Sequence, residues 1–66
     1  MARGYVLVER QNGPSLAVRY PSVEQAEEAE TDSLFIDQLC EEDCLDMWVD
    51  DEIPPGFELV IPPPED

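Results

Sequence analysis

The residues in this chain that could do chemistry are almost all carboxylates. Thirteen stand between Ser22 and Glu52: Glu24, Glu27, Glu28, Glu30, Asp32, Asp37, Glu41, Glu42, Asp43, Asp46, Asp50, Asp51 and Glu52, with no Lys, Arg or His among them. Carboxylates can work as general acids and bases, ligate hard cations, or pair with guanidinium and ammonium groups. Acid–base work needs a cleft and usually an imidazole or amine partner, and the chain has no His, no Lys and no Gly-rich segment. Cation ligation in an EF-hand needs spaced Asp residues around a central Gly, a pattern that does not occur here, so Ca²⁺ or Mg²⁺ would bind only weakly. Pairing with a basic partner is the use that is left. Cys40 and Cys44 sit among Glu41, Glu42, Asp43 and Asp46, whose charge disfavours the reactive thiolate. On a helix their side chains would run parallel, and the amino terminus has no signal-peptide pattern, so a reduced, core-packed pair is expected. The inventory points to a non-enzyme with no cofactor and no metal.

Charge bounds the partner. The 66 residues carry a formal net charge of −14. Arg3, Arg10 and Arg19 lie in the first nineteen positions, which sum to +2 with Glu9, while residues 20–66 sum to −16. Such a field opposes DNA, RNA and anionic membranes, and no apolar run approaches the roughly twenty residues that cross a bilayer. The expected partner is a basic nucleic-acid-binding protein, met by a monomer with no direct contact to nucleic acid or membrane. A chain this short buries only about 60% of its unfolded surface, and self-repulsion works against compaction, so stability should be marginal and rise with salt.

The elements that must hold these acids follow from the apolar pattern. Residues 4–10 and 15–20 are β-branched and aromatic runs around Gln11-Asn12-Gly13-Pro14, a β-hairpin. A four-residue loop sets Tyr5 against Tyr20 and Leu7 against Val18, which makes Tyr5, Leu7, Leu16, Val18 and Tyr20 the core face and leaves Val6, Val8, Ala17 and Arg19 on a half-exposed face. Ser22 with Gln25 reads as a helix N-cap, and Val23, Ala26 and Ala29 form a small apolar face opposite Glu24, Glu27 and Glu28. Thr31-Asp32-Ser33 offers a second N-cap where the helix breaks and restarts. The stripe Phe35, Ile36, Leu39, Cys40, Cys44, Met47 and Trp48 continues at helical spacing, and the helix is expected to end near residues 47–49, before the unfavourable charge of Asp50-Asp51-Glu52. Trp48 and Met47 read as closing the core, with an interface hot spot as the alternative. Pro54-Pro55-Gly56 turns the chain into a third strand, Phe57–Ile61, with Phe57, Leu59 and Ile61 inward, and Pro62-Pro63-Pro64 ends it. The expected fold is α+β: a hairpin, one long or two short acidic helices, then a third antiparallel strand (ββαβ or ββααβ), one domain over residues 1–61 with a Pro-rich acidic tail at 62–66.

As one helix, residues 22–52 would make a rod of about 46 Å. Its thirteen acids would average one per about 3.5 Å, near the roughly 3.4 Å between phosphates along a DNA strand. With its size, charge and acid-studded region from Glu24 to Glu52, the chain resembles the small acidic phage-encoded inhibitors that act as DNA mimics, anti-CRISPR proteins of type I (Cascade) systems among them, with type I-C as the named candidate. The resemblance implies an inhibitor in the cytoplasm of an infected bacterium that occupies the basic DNA-reading surface of a Cascade subunit. A second resemblance covers the element order and Pro55-Gly56-Phe57-Glu58. It is to the small T7-type phage inhibitor of bacterial RNA polymerase, from which this chain differs in Pro62-Pro63-Pro64 and in having no basic residue after that strand. A third reading from another class is a protein-interaction module that binds through an apolar patch around Trp48.

Overall fold

The computed structural model describes residues 3–40 and 44–62. The order is β1 (Gly4–Arg10), β2 (Ser15–Tyr20), α1 (Val23–Asp32), α2 (Leu34–Leu39), β3 (Cys44–Asp50) and β4 (Phe57–Val60), with the strands in one mixed sheet ordered β3-β1-β2-β4. The class is the expected α+β, with the hairpin, two short helices and a further strand in place. Three details differ from the sequence reading, each for a physical reason.

The hairpin register is shifted by one residue. Tyr5 faces Arg19, Val6 faces Val18, Leu7 faces Ala17 and Val8 faces Leu16. A slip of one residue in the pairing turns one strand over relative to the other. Val6, Val8, Leu16, Val18 and Tyr20 therefore share one face, and Tyr5, Leu7, Ala17 and Arg19 the other. Val6, Val8 and Val18 are fully buried with Ala26 of α1 and Ile36 of α2 in one cluster, so the helices cover the first face.

The apolar stripe does not stay helical. α2 stops at Leu39, and the Cys40 cap donates its N–H to the Ile36 and Asp37 carbonyls. Cys44–Asp50 is instead a strand on the outer edge of β1, with Met47 opposite Val8, Trp48 opposite Leu7 and Val49 opposite Val6. Trp48 and Val49 are strand formers, and period two sends Met47 and Val49 to the helix-covered face and Trp48 to the opposite one. A register shift between Glu9 and Arg10 absorbs Leu45 as an extra residue in β3. The acids of residues 44–50 thus lie on a strand.

The last strand pairs with β2 in parallel, where an antiparallel strand was expected. Its partner is not adjacent to β3, so the chain must cross the sheet to reach it. Asp50 is level with Tyr5 and Phe57 is level with Ser15. With strands about 4.8 Å apart those ends are about 20 Å from each other, and seven residue steps reach at most about 25 Å. That length forbids a detour around the sheet, and with helices on one face the 51–56 segment crosses the other as a diagonal strap. The two parallel crossovers, β2 to β3 over the helix face and β3 to β4 over the strap face, run in opposite directions over opposite faces and so share one hand, for which the right-handed sense is the rule. Leu7 and Ala17 lie under the middle of this path and have no solvent exposure. Trp48 and Phe57, from opposite edges, meet edge to face beside it at 5.9 Å between ring centroids. Pro55-Gly56 forms the strap's final turn, with Gly56 at φ +91° and Phe57 N–H reaching the Pro54 carbonyl at 3.4 Å. Val60 packs against the helix-side core, while Leu59 and Ile61, expected inward, are exposed.

Gly4 sits directly beneath the start of α1. A Cβ there would fall on the Ser22 carbonyl and within 2.5 Å of Val23 Cα, so the helix approaches the sheet closely only because this residue has no side chain.

Candidate functional site

α1 is built as its sequence implies. Ser22 caps it, with Gln25 N–H donating to Ser22 Oγ at 3.2 Å, and Ala26 is fully buried against the sheet. Glu24, Glu27, Glu28 and Asp32 are exposed and Glu30 is half-buried. Ser33 ends α1 and begins α2, with its Oγ accepting from Ile36 N–H at 3.4 Å; Asp37 is exposed in the first turn of α2. The break divides the imagined rod into helices of ten and six residues, about 15 and 9 Å long. A single phosphate-like spacing along one axis is therefore absent, and the acids cover several elements instead.

The electrostatics of α1 run against its own stability. Glu24 and Glu28, and Glu28 and Asp32, are like charges one turn apart, each pair unfavourable by about 0.2–0.5 kcal/mol. Glu24 in the first turn suits the helix dipole, but Asp32 at the C-terminal end opposes it, and no basic residue stands in the last turn.

On the strap face, Asp46 stands directly opposite Glu9 across β3 and β1, another like-charge pair. Asp46 accepts the Met47 N–H at 2.9 Å and Asp50 accepts the Asp51 N–H at 2.7 Å, so both carboxylates also hold local backbone. Asp51 and Glu52 are exposed at the start of the strap. Glu41, Glu42 and Asp43 lie outside the described residues.

Cys40 and Cys44 are joined in a disulfide, with Cα atoms 4.7 Å apart, contrary to the reduced pair expected. The expectation rested on an intracellular setting and on a continuous helix holding the side chains parallel, and the helix is not continuous. The helix ends at Cys40 and Cys44 opens β3, so no shared helix holds the two side chains parallel. The bond ties the end of α2 to the start of β3 and closes a ring whose three intervening residues are all acids.

A groove was not visible from sequence. It is open, with a volume of about 870 Å³, and lies between the C-terminal half of α1, the first turn of α2 and the end of the sheet. Gln25, Glu28, Ala29 and Asp32, the i, i+3, i+4, i+7 set of α1, line it together with Tyr20, Leu34, Phe35 and Pro62. Leu34 is 78% exposed, the most exposed large apolar side chain described. The sequence signal for it was Leu34 itself, which falls outside the apolar stripe of α2. A smaller groove beside it is lined by Arg3, Arg19, Tyr20 and Ile61. Among the described residues no group of His, Cys, Asp or Glu has a metal-binding arrangement, and no helix is long and apolar enough to cross a membrane.

No protein-family model matches the chain, and neither the curated proteins nor the solved structures include one that matches it.

Proposed function

We infer that this protein is a non-enzymatic inhibitor that presents carboxylates where a basic nucleic-acid-binding site expects phosphates. The supporting observation is the disposition of the acids. Of the ten candidate carboxylates in the described residues, nine are exposed and Glu30 is half-buried, on a chain of net charge −14 whose described core contains no charged side chain. Like charges stand one turn apart on α1, which holds no basic residue, and Glu9 faces Asp46 across β1 and β3. Such an arrangement lowers the stability of the free protein and is relieved when a cationic surface docks, and the same field accelerates the encounter.

The target class is a basic DNA-reading complex in the cytoplasm of a phage-infected bacterium, with a type I Cascade effector as the target proposed. Inhibition is by occupancy: the acidic surface pairs with Arg and Lys groups that hold DNA, and DNA is excluded. A pull-down from a lysate that expresses type I-C Cascade tests it. Retention of Cascade that is lost on adding duplex DNA or salt is expected. Capture of RNA polymerase with Cascade left behind would move the target, and Cascade retention indifferent to both DNA and salt would contradict phosphate mimicry.

A further inference from the structure

The groove beside α1 combines features that the acidic surface elsewhere lacks. Glu28 and Asp32 are one turn apart and line it from α1. It lies at the C-terminal end of that helix, whose last turn holds no basic residue, with Arg3 and Arg19 set apart in the smaller groove beyond Tyr20 and Pro62. Tyr20, Phe35, Pro62 and the 78% exposed Leu34 supply apolar and aromatic surface alongside the carboxylates. A long side chain with an apolar stem and a planar cationic head matches this lining. Its stem would lie on Leu34 and Pro62, its head would stack on an aromatic ring, and its donors would reach the two carboxylates. Arginine has these properties together, whereas the compact, strongly hydrated ammonium of lysine stacks less well.

We propose that this groove is the docking point for an arginine side chain of the basic partner, held by Glu28 and Asp32 against Tyr20, Phe35 and Leu34. The assignment rests on the function inferred above and gives it a location: the diffuse field brings the partner in, and the groove fixes its register. Leu34 is exposed in the free protein because its contact is intermolecular.

The test uses the full chain, isotopically labelled, titrated with an oligoarginine peptide and with an oligolysine peptide of equal length. Three variants are compared with the parent. Glu28→Gln with Asp32→Asn removes the groove carboxylates, Asp51→Asn with Glu52→Gln removes the same charge elsewhere, and Leu34→Ala removes the apolar wall. All five side chains are exposed, and neutralising Glu28 and Asp32 relieves repulsion within α1, so each variant should fold. The groove pair should weaken oligoarginine binding about tenfold and the distant pair about twofold or less. Leu34→Ala should weaken oligoarginine more than oligolysine, and the largest amide shifts should fall on Tyr20, Glu28, Asp32 and Phe35. Equal losses from the two charge pairs, with no effect of Leu34→Ala, would overturn the groove while leaving the acidic inhibitor standing. Absence of binding by both peptides at low salt would overturn the inhibitor reading, and the groove with it.

Discussion

The two faces of the sheet are sealed by different means. One is covered by α1 and α2, which bring Ala26 and Ile36 onto Val6, Val8 and Val18. The other is covered by a strap of six residues and a pair of aromatic rings, yet Leu7 and Ala17 are as inaccessible as any residue of the helix side. The comparison explains why Tyr5–Val8 and Leu16–Val18 are uninterrupted apolar runs. A strand that faces solvent on one side alternates, whereas one buried on both sides does not. Two interior layers also free the remaining surface for charge, since no charged side chain among the described residues is buried.

If the strap seals as tightly as the helices, truncation beneath each should be equally severe. Leu7→Ala and Ile36→Ala should each lose about 3 kcal/mol in urea denaturation, from lost burial and the cavity left behind. A Leu7→Ala loss below about 1 kcal/mol would mean that the strap face is open to water and the comparison is wrong.

The next effect belongs to the helix side alone. Reduction of the Cys40–Cys44 bond removes a five-residue loop closure, worth about 2 kcal/mol in the chain-entropy model. The transition midpoint should fall on addition of dithiothreitol, and a variant with both cysteines replaced by Ser should no longer respond to it.

Smaller effects sharpen the contrast at each layer's fastening point. Ser33→Ala removes the cap that starts α2, and Gly56→Ala forces a side chain into the left-handed conformation that ends the strap, each for about 1 kcal/mol. The first should raise amide exchange in α2 and leave β4 unchanged, and the second should do the reverse. The least expected change is a rise in midpoint with added sodium chloride, as salt screens the net charge of −14. A midpoint that falls with salt would show that favourable ion pairs outweigh repulsion.

Much of this fold was legible in local chemistry. Ser22 and Ser33 cap helices because the first-turn N–H groups have no intrahelical acceptor and a serine hydroxyl supplies one, and Pro55-Gly56 turns because Pro presets one φ and Gly readily takes the positive φ that follows. What local pattern did not decide was register and partner. Runs that are apolar on both faces do not say which face the helices take, so Val6 and Leu7 exchanged sides. The stripe from Phe35 to Trp48 satisfied helical spacing although a strand uses Met47, Trp48 and Val49 better, because pairing with β1 is a long-range contact. The acids were visible as a charge excess. Their division between two helices, a strand and a strap followed only from the topology, as did the groove at Glu28 and Asp32.

The most direct test of the account is displacement of DNA. Fluorescence anisotropy of a labelled target duplex on purified type I-C Cascade, titrated with this protein at about 50 mM and about 200 mM salt, separates a charge competitor from other inhibitors. The account predicts full displacement at low salt and a steep rise in the concentration needed at higher salt. A duplex that stays bound at low salt, or a displacement unchanged by salt, would contradict it.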